Sequence, residues 1–156
     1  MKNLHLLPTP NPSRGLVFFN GSYRIEKRLN NYPKNIYPSS QGYNIYITSD
    51  EEITGTEDWY LWGDKIYKNK KGDTPKSFCK KIILTTDQDL IKDGVQVIPD
   101  EFLEWFVKNP TCEEIGINKL LVGKDIPKIN FTYKIIIPKE ELLDSNPQGN
   151  KQARLI

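Results

Sequence analysis

Three aspartates, Asp87, Asp89 and Asp93, stand close together in TTDQDLIKDG, and carboxylates so spaced could hold a divalent cation. A calcium loop needs oxygen ligands at its positions 1, 3 and 5, glycine at 6 and a bidentate glutamate at 12. Counted from Asp87, those last three places hold Ile91, Lys92 and Ile98, so the pattern fails three times. Asp87 or Thr86 would instead cap a short helical turn, QDLIK, that ends in a tight turn at Asp93-Gly94. Nucleophilic chemistry is as poorly supplied. His5 is the single histidine, and Cys79 and Cys112 are the two cysteines. Together they fall short of a four-ligand zinc set and lack a paired spacing. No nucleophile elbow or phosphate-cradling glycine loop occurs. The expectation is therefore no catalytic residue, no metal and no cofactor.

Two further clusters concern binding. Residues 65–81 carry seven lysines (Lys65, Lys68, Lys70, Lys71, Lys76, Lys80, Lys81) against Asp73, a local net of +6. Residues 87–114 carry eight acids against Lys92 and Lys108, a local net of −6. Lysines beside rings could hold single-stranded nucleic acid, with Lys68, Lys70, Lys71, Lys80 and Lys81 as the contacts. Equally, they could keep a sheet edge from pairing with other chains. Aromatics are plentiful, with 8 Tyr, 6 Phe and 3 Trp. Tyr37, Tyr43, Trp59, Tyr60, Trp62 and Tyr67 are the candidate ligand or partner contacts, because these rings pair apolar area with a polar tip. An oligomer contact and simple replacement of missing aliphatics in the core are the competing roles.

The elements that must position these residues are mostly strands. At 156 residues and 37% apolar content, the chain reads as one β-rich domain over 1–143 with a tail at 144–156. Its first 43 residues are turn-rich, and LPTPNPSRG reads as an extended loop because its prolines lack donors. Asn20-Gly21 predicts a type I′ hairpin within LVFFNGSYRIEK. YNIYITS, DWYLWGDKIYKN, CKKIILTT, EEIGINKLLVG and KINFTYKIIIPK read as strands, with turns at Gly63-Asp64 and Gly123–Pro127. Ser49 with Glu52 matches a capping box for one helical turn.

One longer helix is expected over 99–108. Pro99 suits its first position, Asn109 a left-handed end, and Pro110 blocks continuation. Phe102, Trp105 and Phe106 then share one face, and Leu103 and Val107 widen it until only Glu104 is solvated. The predicted fold class is mainly β (α+β): a small SH3-like antiparallel barrel, or a strongly bent sheet, closed by this helix.

Three segments carry a resemblance: LHLLPTPNPSRG (4–15), NIYITSDEEI with DWYL (44–61), and CKKIILTTDQDLIKDGVQVIPDEFLEWFVKNPTCEE (79–114). Together they resemble a family of small uncharacterised proteins encoded by bacteriophages of Bacteroidetes and by the corresponding bacterial genomes. The resemblance covers about half of the chain and attaches no activity or catalytic residue. It implies a phage origin.

The functional expectation is a non-enzymatic binding module, a phage-type accessory protein acting on a host protein or small-molecule signal. A minor virion component that docks through residues 1–43 is one alternative; a nucleic-acid-binding β-barrel using 59–81 is the other. The expected location is the host cytoplasm or the virion. Too few cysteines are present for a disulfide framework, nothing at the start reads as a signal peptide, and no apolar run would span a bilayer.

Overall fold

The computed structural model describes residues 2–10, 12, 16–25, 41–53, 58–70, 78–122 and 130–138. Tyr37, Lys71, the Gly123–Pro127 turn and the 144–156 tail lie outside the described residues. The elements in chain order are β1 (Leu4–Thr9), β2 (Leu16–Phe19), β3 (Ser22–Ile25), β4 (Gln41–Ser49), β5 (Trp59–Trp62) and β6 (Lys65–Lys68). They continue with β7 (Lys80–Thr85), α1 (Gln88–Lys92), β8 (Gln96–Val97), α2 (Asp100–Lys108), β9 (Gly116–Val122) and β10 (Asn130–Ile136). The chain is thus mainly β, with two helices among the described residues.

Strand β4 organises the main sheet. Along one edge it pairs antiparallel with β1, Leu4 opposite Ile47 and Thr9 opposite Gly42. Along the other it meets β2 at Gln41–Gly42 and β7 at Tyr46–Ser49. Outward from β7 lie β5 at Lys80–Lys81, with β6 beyond it, and the short parallel β8 at Leu84–Thr85. The strand path runs β3-β2-β4-β7-β5-β6 and does not return on itself. No closed barrel forms among the described residues, so the SH3-like barrel is corrected to an open sheet. β9 and β10 form a separate two-stranded sheet.

Two cores follow from the alternation of side chains along β4 and β7. Ile45, Ile47 and Leu84 join Leu4, Leu16 and Ile98 beneath α2 and beside Ile115 and Ile135. Tyr46 and Ile82 point the other way, toward Leu61 and Leu90. Between Ile47 and Thr48 the β4–β7 pairing skips one residue of β7, Ile83. This bulge lets Ile83 join the first core next to Leu84 instead of the second. Past the ladder's end, Thr85 Oγ1 donates to Ile45 O (2.8 Å), and Thr86 Oγ1 accepts from Ile45 N (2.9 Å), so two buried hydroxyls continue the strand pairing.

Helix α2 seats Phe102, Leu103 and Phe106 wholly in the core, with Trp105 half-buried. Between Phe102 and Val107 only Glu104 is exposed. Pro99 is the cap rather than the first helical residue, and Asn109 has φ −135°, so the anticipated left-handed end is corrected. Asn109 closes the helix differently, its Nδ2 donating to Trp105 O at 2.9 Å. The helix lies on a sheet face and meets β3 through Tyr23 and Phe106, whose ring centres are 5.8 Å apart.

Other departures have local causes. LPTPNPSRG does not stay a loop throughout, because residues 4–9 form β1. Pro8 is tolerated there because β1 is an edge strand and needs donors on one side only. The helical turn after Ser49 does not form. Ser49 ends β4, and its Oγ accepts from Glu51 N two residues on (3.2 Å), a turn that competes with helix.

Candidate functional site

The aspartate run is occupied with folding. Asp87 caps α1 by accepting from Asp89 N (3.0 Å), and its other oxygen accepts from Tyr46 OH (2.6 Å). Burial, then that hydrogen bond, raises the Tyr46 phenol well above its usual value. Asp93 accepts from Trp59 Nε1 (3.0 Å) and lies 3.1 Å from Lys68 Nζ. The hydrogen bond from Lys68, then that from Trp59, hold the Asp93 carboxyl below its usual range. Among the described residues no three acids, cysteines or histidines converge as a metal site. His5 hydrogen-bonds Thr48 Oγ1 at 3.3 Å, and burial followed by the nearby Lys2 lowers its pKa. Cys79 and Cys112 are free thiols.

Two clefts open between the main sheet and the β9–β10 hairpin. One, of about 300 Å³, is lined by Thr48, Glu51, Lys80, Lys119 and Tyr133 among others. The other, of about 270 Å³, sits where β7 has left β5 and not yet met β8, between Asp58, Trp59, Gly94 and Phe131. Bulged Ile83 and Tyr133 line both. Between the clefts Glu51 gathers cations and a phenol. Tyr133 OH donates to its carboxylate (2.9 and 2.8 Å), Lys119 Nζ lies at 3.2 Å, and Lys81 Nζ at 3.7 Å also reaches Asp58 at 3.8 Å. Burial alone would raise the Glu51 pKa, but the hydrogen bonds from Tyr133 and Lys119 and the two lysine charges outweigh it, and the net shift is downward. Burial, then the bond to Glu51, raises Tyr133 above its usual value.

This sets a sign for acid. A carboxyl whose folded pKa is depressed contributes stability above its unfolded value, near 4.5, and loses it as pH falls through the lower folded value. Glu51→Gln should cost about 1–2 kcal/mol at neutral pH, discounted for the site's partial exposure. In urea titrations at several pH values, the gap between wild type and variant should narrow as the pH falls below 4.5.

Gln96 and Asn3 hold the hairpin in place. The Gln96 amide accepts from Tyr133 N (2.8 Å) and Thr132 Oγ1 (3.0 Å) and donates to Tyr133 O (2.7 Å), so one side chain does the work of a neighbouring strand. Asn3 does the same for Ile115, donating to its O and accepting from its N, both at 2.8 Å.

The aromatic candidates separate into two sets. Tyr60, Tyr67 and Trp62 stand on one face of the β5–β6 hairpin, Tyr60 being directly opposite both Tyr67 and Lys81. Tyr60 stacks on Tyr67 (5.5 Å, 25°), Trp62 tilts against Tyr67 (5.8 Å), and Phe78 continues the row from Trp62 (5.7 Å). Trp62 is 51% and Phe78 55% exposed. Trp59 faces the second core and Asp93, while Tyr43 packs edge-on to Tyr23 (5.7 Å) against the first core.

Of the lysine candidates, Lys68 pairs with Asp93, Lys80 with Asp50 (2.7 Å) and Lys81 with Glu51 and Asp58; Lys70 is exposed. Lys68, Lys80 and Lys81 therefore lie among carboxylates that are far from them in sequence. Glu51, Tyr133 and Gln96 were not singled out by sequence reading, whereas Phe78 was noted among the rings adjoining the basic stretch. A glutamate, a tyrosine and a glutamine with no motif around them carried no signal, but the placement of Phe78 beside the lysines did.

Compared with protein-family models, with curated proteins and with solved structures, the chain matches none of them. No helix among the described residues is long and apolar enough to cross a membrane.

Proposed function

We propose that the chain is a non-enzymatic binding module, a phage-type accessory protein that grips a host protein or a small-molecule signal through the aromatic row of β5–β6. The carrying observation is that four rings touch in sequence on one face while two of them, Trp62 and Phe78, keep half their surface in water. Rings held by one another lose little freedom when a flat or apolar group settles on them, which favours affinity. Among the described neighbouring lysines, Lys68, Lys80 and Lys81 are paired with carboxylates, so a neutral or mixed partner surface suits the row better than a phosphate backbone. Nucleic acid would have to draw Lys68, Lys80 and Lys81 away from their carboxylates. A virion role rests on residues 1–43, and nothing in their described part favours it.

The test compares wild type with Trp62→Ala/Phe78→Ala by native mass spectrometry after exposure to host lysate and to nucleotide signals. The variant should melt like wild type, and any retained species should bind it about 10–100-fold more weakly, the loss of two contact rings. Undiminished retention would place binding elsewhere on the molecule. If wild type retains nothing, the reading fails.

A further inference from the structure

The β9–β10 hairpin is a sheet of two strands, and two strands alone bury too little to be stable. At its base Ile117, Tyr133 and Ile135 pack on the first core. Its other apolar side chains face water on both sides. Leu120 (44% exposed) and, at the base, Ile136 (48%) lie on one face, Leu121 (52%) and Phe131 (52%) on the other. These are half of the large exposed apolar side chains among the described residues.

The hairpin's two edges differ. Gln96 occupies the backbone of β10 at Tyr133, whereas β9 has no strand on its outer edge among the described residues. Exposed edges are usually blunted by proline, bulges or charge. The β9 sequence, GINKLLV, has no proline and no acid, and it pairs with β10 without a bulge. Its one charge, Lys119, is drawn back to Glu51 (3.2 Å) and over the Phe131 ring (4.5 Å) of the same molecule.

We propose that β9 pairs antiparallel with β9 of a second copy, about a twofold axis near Leu120, to make a four-stranded sheet. Charge favours an identical strand: in this register Lys119 stands opposite Leu121 of the second copy, so like charges do not meet directly. Its ammonium is also already balanced by Glu51. Area sets the strength. With each side chain's full area near ~200 Å², Leu120 and Leu121, the exposed apolar groups on β9 itself, offer roughly 200 Å² per copy. A standard interface takes ~800 Å² per partner, so the dimer is a weak one that dissociates on dilution. This contact is independent of the aromatic row.

The test is sedimentation velocity on the full chain from low micromolar to near-millimolar concentration, together with amide exchange at residues 118–122. Wild type should pass from monomer to dimer, and exchange along β9 should slow as concentration rises, a readout that needs no variant. Leu120→Lys should stay monomeric with an unchanged melting temperature, while Trp62→Ala/Phe78→Ala dimerises like wild type. A monomer at every concentration overturns the proposal, as does a dimer that Leu120→Lys leaves intact. Protection of β9 that is equal at all concentrations also overturns it, because the molecule would then cover its own edge.

Discussion

Phe102→Ala is expected to lower the unfolding free energy by about 3–5 kcal/mol, read as a drop in urea midpoint at unchanged slope. The ring is wholly buried and packs with Trp105 (5.7 Å) and Phe106 (6.2 Å) over Ile45, Ile47 and Leu84. Alanine would lose the transfer free energy of the ring and leave a hole bordered by strand residues that cannot collapse into it. Helix α2 has nine residues, too few to persist without packing, so its own order depends on this contact. Since domains are stable by only ~5–15 kcal/mol, a good part of the margin would go. Glu104→Ala, on the exposed side of the same helix, should stay within ~0.5 kcal/mol. Equal losses at both positions would mean that the helix does not sit as described.

Gly42→Ala should cost about 2–3 kcal/mol, by sterics alone. An added Cβ would stand 2.7 and 2.8 Å from the Pro12 ring and 2.9 Å from the carbonyl oxygen of Thr9. Gly42 cannot step aside, since it pairs with Thr9 of β1 on one edge and Val17 of β2 on the other. Its φ is not in the left-handed region, so alanine is conformationally allowed and backbone strain is not in play. Gly116→Ala is the control. Its nearest obstacle is the flexible Ile136 Cδ1 at 3.2 Å, and thermal melts should show a much smaller change there.

Local signals were well preserved in the sequence. Asn20 and Gly21 take φ 55° and 84° at the β2–β3 turn, as the Asn-Gly pair implies. Spacing alone placed Phe102, Trp105 and Phe106 on one helical face, and the mismatch to a calcium loop pointed to Thr86 or Asp87 as a cap, of which Asp87 is the one. What escaped was set by partners distant in the chain. β1 was hidden by Pro8, which is acceptable because, among the described residues, no strand pairs beyond it. The barrel, or a strongly bent sheet, was inferred from short strands separated by turn signals with one late helix, but closure depends on pairings between distant strands that no local pattern encodes.

The lysine-rich stretch looked like an electrostatic footprint because Asp50, Glu51, Asp58 and Asp93 come from other segments. Of the candidate site, the rings of β5–β6 were legible as an excess of aromatics. Their contact in a row required the register Tyr60 opposite Tyr67. The Glu51–Tyr133 link spans 82 positions and had no sequence mark.

The amide clasps of Asn3 and Gln96 carry one further consequence. A strand sewn into a sheet by its backbone resists loss whatever its side chains, but this hairpin is attached through replaceable side chains, the Asn3 and Gln96 amides and the Glu51 carboxylate, and a few apolar contacts. It should behave as the molecule's weakest cooperative unit, opening while the body stays folded, and as the part most easily traded or shed during divergence.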